Sequence, residues 1–312
     1  MIRVSVVVPT VGRSDLRGVL DGLACQENPP PFEVIVSVDG ANEPDFEGLS
    51  LHPQCSRLIL VQLGTAQGVS VARNRAVEQA RGEYIGFLDD DTMPAADWLS
   101  RLATDLSGKD AAVVGRISEQ AGTAVLSRLR AVAFENRHAV NMAGPVHVDY
   151  VNGGNCGFRT EVLRELGGFD PTFRKSQDRD LARRAVLAGH TIVYDPDLVI
   201  THAGAYTAKG FWRGRFRAGR AAQVMKRLSG AVSLGPTSLR TTYGDGLRQL
   251  TRQQGITLAL AALVSMIAHR TGRITGSLFG PEHNSPDPND ATSPPTVRQI
   301  HPPRPRQASG EL

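Results

Sequence analysis

Four short, almost wholly apolar runs, each separated from the next by a segment of helical spacing or by turn residues, dominate the first 90 residues and restrict the folds open to this chain. They lie at residues 4–8, 34–38, 58–61 and 84–88. A strand with one wet face alternates polar and apolar residues. A continuous apolar run needs cover on both faces, which crossover helices give to parallel sheets. The intervening segments fit: Ser14 can cap a helix carrying Leu16, Val19, Leu20 and Leu23. Gly68 precedes a helix with Val71, Ala72, Ala76, Val77 and Ala80 that closes at Gly82, and Pro94 opens one with Trp98, Leu99, Leu102 and Leu106. The rhythm predicts an α/β fold: a mostly parallel central sheet with helices on both faces. From residue 111 it loosens into a strand at 112–114, a helix over 124–137, a strand at 148–151, helices at 160–166 and 178–188, and a strand at 192–194. Gly153-Gly154-Asn155 punctuates that half.

Composition narrows the class. With 312 residues, 41% of them hydrophobic and 21% charged, the chain builds a full core, which excludes wholesale disorder. No run of about 18 apolar residues is present, so an ordinary transmembrane span is not expected. The first ten residues are too short an apolar stretch for a signal peptide and contain Pro9. Cys25, Cys55 and Cys156 have no paired spacing, which argues for a reducing compartment over a disulfide framework or metal knuckle. The net charge of +4 is unevenly placed. Residues 1–202 hold 20 Lys/Arg against 26 Asp/Glu, whereas residues 203–280 hold 12 basic residues against Asp245 alone. Such a basic segment seeks an anionic partner, phospholipid head groups or nucleic acid.

The candidate chemistry sits at strand ends, where ligands of open parallel sheets bind. Asp89-Asp90-Asp91 follows the run at 84–88. In an extended chain Asp89 and Asp91 share a face, and two carboxylates about 5 Å apart repel by roughly 3 kcal/mol at an effective dielectric near 20. A divalent cation reverses the sign of that interaction, and oxygen donors suit Mg²⁺ or Mn²⁺ together with substrate phosphates. The competing reading is a helix cap, which accounts for one aspartate and not three. Asp39 before Gly40 fits either a ribose or base contact or a turn. Asp178, within Gln177-Asp178-Arg179-Asp180, fits either a general base or an N-cap.

Taken in order, Val6-Val7-Val8-Pro9-Thr10 with Gly12-Arg13, Val38-Asp39-Gly40, Gly68 with Ala72-Arg73-Asn74, Gly86-Phe87-Leu88-Asp89-Asp90-Asp91, Gly153-Gly154-Asn155, Gly167-Gly168-Phe169-Asp170, Gln177-Asp178-Arg179-Asp180-Leu181 with Arg184, and His202 resemble the family 2 glycosyltransferases of the GT-A fold. The resemblance covers about residues 3–205. It implies a Rossmann-like GT-A domain over residues 1–205, with a nucleotide-sugar half (1–110) and an acceptor half (111–205). It also implies inverting transfer from a nucleoside-diphosphate sugar to an acceptor hydroxyl, assisted by a divalent cation, Mg²⁺ or Mn²⁺. On this resemblance Pro9, Thr10, Arg13, Asp39, Arg73, Asp89 and Asp90 contact the donor. Asp91 coordinates the metal with Asp89 and His202, Asp178 is the base, and Gly153, Gly154, Asn155 and Gln177 form the acceptor and diphosphate loop. Two positions depart from the family pattern: Gln177 stands where a Glu usually precedes the base, and Gly40 where a second Asp is frequent. The QxxRW motif of processive synthases is missing, which favours transfer of one sugar per encounter.

The basic segment reads as a helical extension over 206–279, followed by a disordered tail over 280–312 rich in Pro, Asn, Ser and Gln. On a helical projection Lys209, Arg213, Arg217, Arg220 and Arg227 share an arc, while Phe211, Ala221, Ala222, Met225 and Leu228 fall mostly opposite. The apolar stretch at 256–268 is too short to cross a bilayer. Together they predict a cytoplasmic enzyme, peripheral on an anionic membrane face and suited to a lipid-linked or cell-envelope acceptor, with a solvated helical subdomain as the alternative. Nucleic-acid binding through Phe211, Trp212 and Phe216 lacks a surrounding module. A non-catalytic nucleotide-sugar-binding scaffold is the other class of function compatible with these residues.

Overall fold

The runs at 4–8, 34–38, 58–61 and 84–88 become four neighbouring parallel strands. In a computed structural model, residues 1–12, 16–119, 125–144, 146–173, 175–202, 207–229, 256–279 and 294–301 are described. The elements of the first half are β1 (Val4–Thr10), α1 (Leu16–Ala24), β2 (Phe32–Val38), β3 (Cys55–Gln62), α2 (Val69–Gln79), β4 (Tyr84–Leu88), β5 (Thr92–Pro94) and α3 (Trp98–Ser107). The second half adds β6 (Ala112–Glu119), α4 (Val125–Ala143), β7 (Asn155–Arg159), α5 (Thr160–Glu165), α6 (Gln177–Leu187), β8 (Ile192–His202), α7 (Ala208–Ser229), α8 (Ile256–Phe279) and β9 (Thr296–Ile300). The nine strands order as β5-β8-β6-β7-β4-β1-β2-β3-β9. β1, β2, β3, β4, β6 and β8 run one way, and β5, β7 and β9 run against them.

Alternate residues of β1 feed two separate cores. Val4, Val6 and Val8 pack with Leu16 and Leu20 of α1 and with Trp98 and Leu102 of α3. Val7 faces the other way, with Ala76 of α2, Phe87, Phe158, Leu163 of α5 and Leu181 of α6. Helices on both faces explain why β1, β2 and β4 are buried along their whole length. Because α1 and α2 cover opposite faces, the winding changes direction between β1 and β4, the place where a crevice opens in such sheets.

Four local expectations change. Pro94 does not open a helix: it pairs with Ile200 in the edge strand β5, where a missing N–H costs no ladder bond, and α3 starts at Trp98. Residues 148–151 form no strand; Val148 N–H reaches the Ile192 carbonyl, and the neighbouring His147 makes one isolated bridge to Val193. The tail expected to be disordered contains β9, which closes the free edge of β3 antiparallel, with Ile300 packed against the core. The acidic triplet forms a turn instead of extended chain, since both the N–H and the hydroxyl of Thr92 donate to the Asp89 carbonyl. Ser14, Arg13, residues 280–293 and residues 302–312 lie outside the described residues.

One buried carboxylate ties the sheet to α2. Glu33, fully buried in β2, accepts from the Ser5 hydroxyl at 2.6 Å, the Arg81 N–H at 2.7 Å and Arg57 Nη1 at 2.8 Å. Replacing it strands three donors. Glu33→Ala is expected to lower unfolding free energy by about 3 kcal/mol, seen as a shifted denaturant midpoint.

Candidate active site

The carboxyl ends of β1, β2 and β4 each deliver one of the expected residues to the crevice. Thr10 and Pro9 end β1, both buried. The Thr10 hydroxyl donates to Asp90 at 2.6 Å and accepts from Gly12 N–H at 3.0 Å, so it is committed to bracing the acidic turn. Asp39, after β2, accepts N–H bonds from Gln67 at 2.6 Å and Gly68 at 3.0 Å and thereby fixes the entry to α2. Its carboxylate also borders a cavity of about 260 Å³ shared with Gly68, Phe173 and Arg217.

Each aspartate of the triplet has its own direction. Asp89 accepts from Arg73 Nη2 at 2.8 Å, Asp90 turns back to Thr10, and Asp91 Oδ2 lies 3.3 Å from His202 Nε2. That last approach comes from strand pairing, because His202 at the end of β8 is registered with Thr92 in β5. Two ligands in adjacent octahedral positions, each about 2.1 Å from a cation, sit about 3 Å apart, so the pair fits Mg²⁺ or Mn²⁺. Among the described residues no group of three or more His, Cys, Asp or Glu forms a complete cage. A cation held by this pair therefore draws its other ligands from water or a bound phosphate.

Electrostatics match that incompleteness. Burial, reinforced by the charges of Asp89 and Asp90, raises the Asp91 pKa to about 6. Burial, with Arg130 nearby, lowers His202 to about 4. Near pH 7 the imidazole is neutral, as metal ligation requires. Arg130 pairs with Glu119, whose side chain is 2% exposed and which is registered with His202 across β6 and β8. The sequence reading missed this pair; the position of Glu119 at a strand end was the available signal.

Arg73 joins the two halves of the site. It is 3% exposed, lies over the Phe169 ring at 5.2 Å, and donates through Nη2 to both Asp89 and the Gly153 carbonyl at 2.9 Å. Its Nε and Nη1 are buried without a hydrogen-bond partner among the described residues. A Cβ on Gly153 would stand 2.7 Å from Nη1, and one on Gly154 would collide with the Asp89 carboxylate, so glycine at both positions lets the two side chains lie close to the loop. Gly153 N–H points to Asp178 Oδ2 at 3.5 Å, and Asp178 Oδ1 accepts from Arg179 N–H at 2.9 Å. Asp178 lies in the first turn of α6, whose N-cap is Ser176 at φ 68°, so it is not the cap. Asp180 is structural: it pairs with Arg183 at 3.3 Å and Arg184 at 2.7 Å.

One loop residue departs from expectation. Asn155 is fully buried and its amide is spent on the core, accepting from Trp98 Nε1 and donating to the Arg116 and Leu198 carbonyls, each at 2.8 Å. It shapes the loop from behind and does not face a ligand. Gln177 is buried, with Oε1 unpartnered among the described residues. A separate cavity of about 470 Å³, between α4 and β8, contains none of the expected residues.

A family model for "Glycosyltransferase like family 2" matches residues 3–221. The chain belongs to this family. It is 28% identical over 203 residues to the succinoglycan biosynthesis protein ExoM of Rhizobium meliloti, covering 63% of this chain and 65% of that protein. It is 27% identical over 143 residues to the pre-mycofactocin glycosyltransferase of Mycobacterium tuberculosis, covering 44% and 30%. The chain thus spans less than two thirds of the length of these relatives. Glycosyltransferase AglE of Haloferax volcanii is 26% identical over 227 residues, covering 70% and 72%. Among solved structures, the mannosyltransferase PcManGT from Pyrobaculum calidifontis, in complex with GDP-Man and Mn²⁺, superposes with a TM-score of 0.55 at 21% identity, covering 88% of this chain and 84% of that one. The fold is accordingly GT-A.

The opposite shifts of Asp91 and His202 give a pH signature. A raised carboxyl pKa withdraws stability as pH climbs from about 4 to 6, whereas a lowered histidine pKa adds stability between about 4 and 6.5. Asp91→Asn removes only the first effect. The variant is expected to gain roughly 2 kcal/mol on the wild type between pH 4 and pH 7 by chemical denaturation. At pH 7, Mn²⁺ should raise the melting temperature of the wild type and not of the variant.

Proposed function

We propose that this protein is an inverting glycosyltransferase that moves a sugar from a nucleoside-diphosphate donor to an acceptor hydroxyl, with Asp178 as general base. The observation that carries the reading is the division of the site by the Gly153–Gly154 loop. Arg73, which holds Asp89, meets the loop at the Gly153 carbonyl, and Asp178 meets it at the Gly153 N–H. Inversion needs the leaving group and the attacking oxygen on opposite faces of the anomeric carbon, and these two sets supply opposite sides. Asp91 and His202 would hold a divalent cation, which offsets charge on the departing diphosphate.

The remaining tasks fall to the chain itself. Asp39 and the cavity it borders accommodate the nucleoside. Arg73 holds Asp89 and the Gly153 carbonyl in place, and its charge favours a phosphate beside them. Asp178 accepts the acceptor hydroxyl proton as that oxygen bonds to the anomeric carbon; the carbon–oxygen bond to the diphosphate breaks, and the nucleoside diphosphate leaves with the electron pair. A positioned base contributes a factor of about 10²–10⁴. Asp178→Asn should therefore lower transfer at least 100-fold while donor affinity stays within about threefold, measured by nucleoside diphosphate release and by calorimetry. Unchanged turnover would remove Asp178 from the mechanism.

The C-terminal helices support a peripheral membrane position. Close contacts at Gly219 against the His269 carbonyl and Gly272 against the Phe216 carbonyl join α7 and α8, and Phe211 anchors α7 on Leu129 of α4. The outward face of α8 exposes Leu263, Val264, Ile267 and Ile274 beside Arg270. No helix among the described residues is long and apolar enough to cross a membrane. Co-sedimentation with vesicles containing phosphatidylglycerol, weakened at least fivefold by Ile267→Glu with Ile274→Glu, is the expected result. Equal recovery with neutral vesicles would count against an anionic surface.

A further inference from the structure

Behind the Gly153–Gly154 loop, Asp178 opens into a cavity of about 220 Å³ that the donor residues do not reach. Its walls come from β6, α4, α6, β8 and α7. Four of its lining residues are arginines, Arg116, Arg137, Arg179 and Arg215, and Asp178 is the sole acidic one. The counter-charges lie outside the lining: Glu135 pairs with Arg116 at 2.9 Å on the exposed side, and Asp149 acts on Arg179. Arg137 stands over the Tyr150 ring at 5.1 Å, and His138 bonds the Tyr194 hydroxyl at 3.0 Å, so the walls are braced. Burial lowers the pKa of Arg179; the charge of Asp178 opposes this, and those of Arg137 and Arg215 add to it. Four guanidinium groups around one shaped cavity favour an anion within it.

We propose that this cavity binds an anionic group, phosphate or carboxylate, carried by the acceptor close to its attacking hydroxyl. The inference rests on Asp178 being the base, since that places the cavity on the acceptor's side. It goes further in naming the chemistry: acceptors are phosphorylated or uronate-bearing, and neutral glycans are poor substrates. The volume is below the 300–1,000 Å³ typical of pockets that enclose a whole small molecule, so the cavity holds an end group and the acceptor continues outside it. Guanidinium groups bind phosphate and carboxylate through paired N–H donors, which suits either source.

The test is a calorimetric titration of the full chain with glucose 6-phosphate, glucuronate and neutral glucose, each with and without UDP or GDP and Mg²⁺. Binding of one or both anionic sugars at least tenfold tighter than glucose is expected, and their order tells phosphate from carboxylate. Arg137→Gln and Arg215→Gln should each weaken that binding at least tenfold and leave nucleotide affinity within twofold. Equal binding of all three sugars, or no anionic binding by the wild type, overturns the proposal. So does a loss of nucleotide affinity in both variants as large as the loss of anion affinity, because the cavity would then serve the donor diphosphate. If a variant fails to fold, the wild-type comparison decides alone. Absence of nucleotide binding beside intact anion binding overturns the donor reading and leaves the anion site standing.

Discussion

Three adjacent carboxylates at the end of a buried strand repel one another, and the site is organised around their separation. The turn closed by Thr92 sends Asp89 to Arg73, Asp90 to Thr10 and Asp91 to His202. Two of the three charges find donors inside the protein. Asp91 meets a neutral imidazole and keeps a raised pKa of about 6. The residual charge at that point is what the proposed cation would offset.

Arg73 carries this arrangement across the crevice. Its guanidinium touches Asp89 on one side and the Gly153 carbonyl on the other, and the Gly153 N–H faces Asp178. Gly153 thus separates Arg73 and Asp89 from the proposed base. A side chain at Gly153 or Gly154 would displace the Arg73 guanidinium or the Asp89 carboxylate. The fully buried amide of Asn155 fixes the loop from below through Trp98 and two strand carbonyls.

The parallel strands were legible because burial on both faces forces a continuous apolar run, as in 4–8 and 84–88. The helices α2 and α6 were legible from their spacing and bounding glycines. The antiparallel strands were harder to see. β5 contains Pro94, which reads as a helix start until its partner Ile200 is known, and β9 has only Val297 and Ile300 as apolar residues in a polar tail. In the site, Asp91 with His202 and Asp178 could be named in advance from an ordered motif set. Asn155 could not be assigned to the core, because its partners Trp98, Arg116 and Leu198 are distant in sequence. Arg137, Arg179, Arg215 and Arg217 went unrecognised as cavity residues for the same reason: their convergence depends on how α4, α6 and α7 pack. The basic character of 203–280 was visible, yet part of it faces the crevice instead of solvent.

The central claim is that Asp91 and His202 form an incomplete cation site finished by a diphosphate. Calorimetric affinities of UDP and GDP, set against UMP and GMP, with and without Mn²⁺, test it most directly. The account predicts that Mn²⁺ strengthens binding of at least one diphosphate tenfold or more and changes monophosphate binding little. Diphosphate affinity that is the same with and without the metal would contradict it.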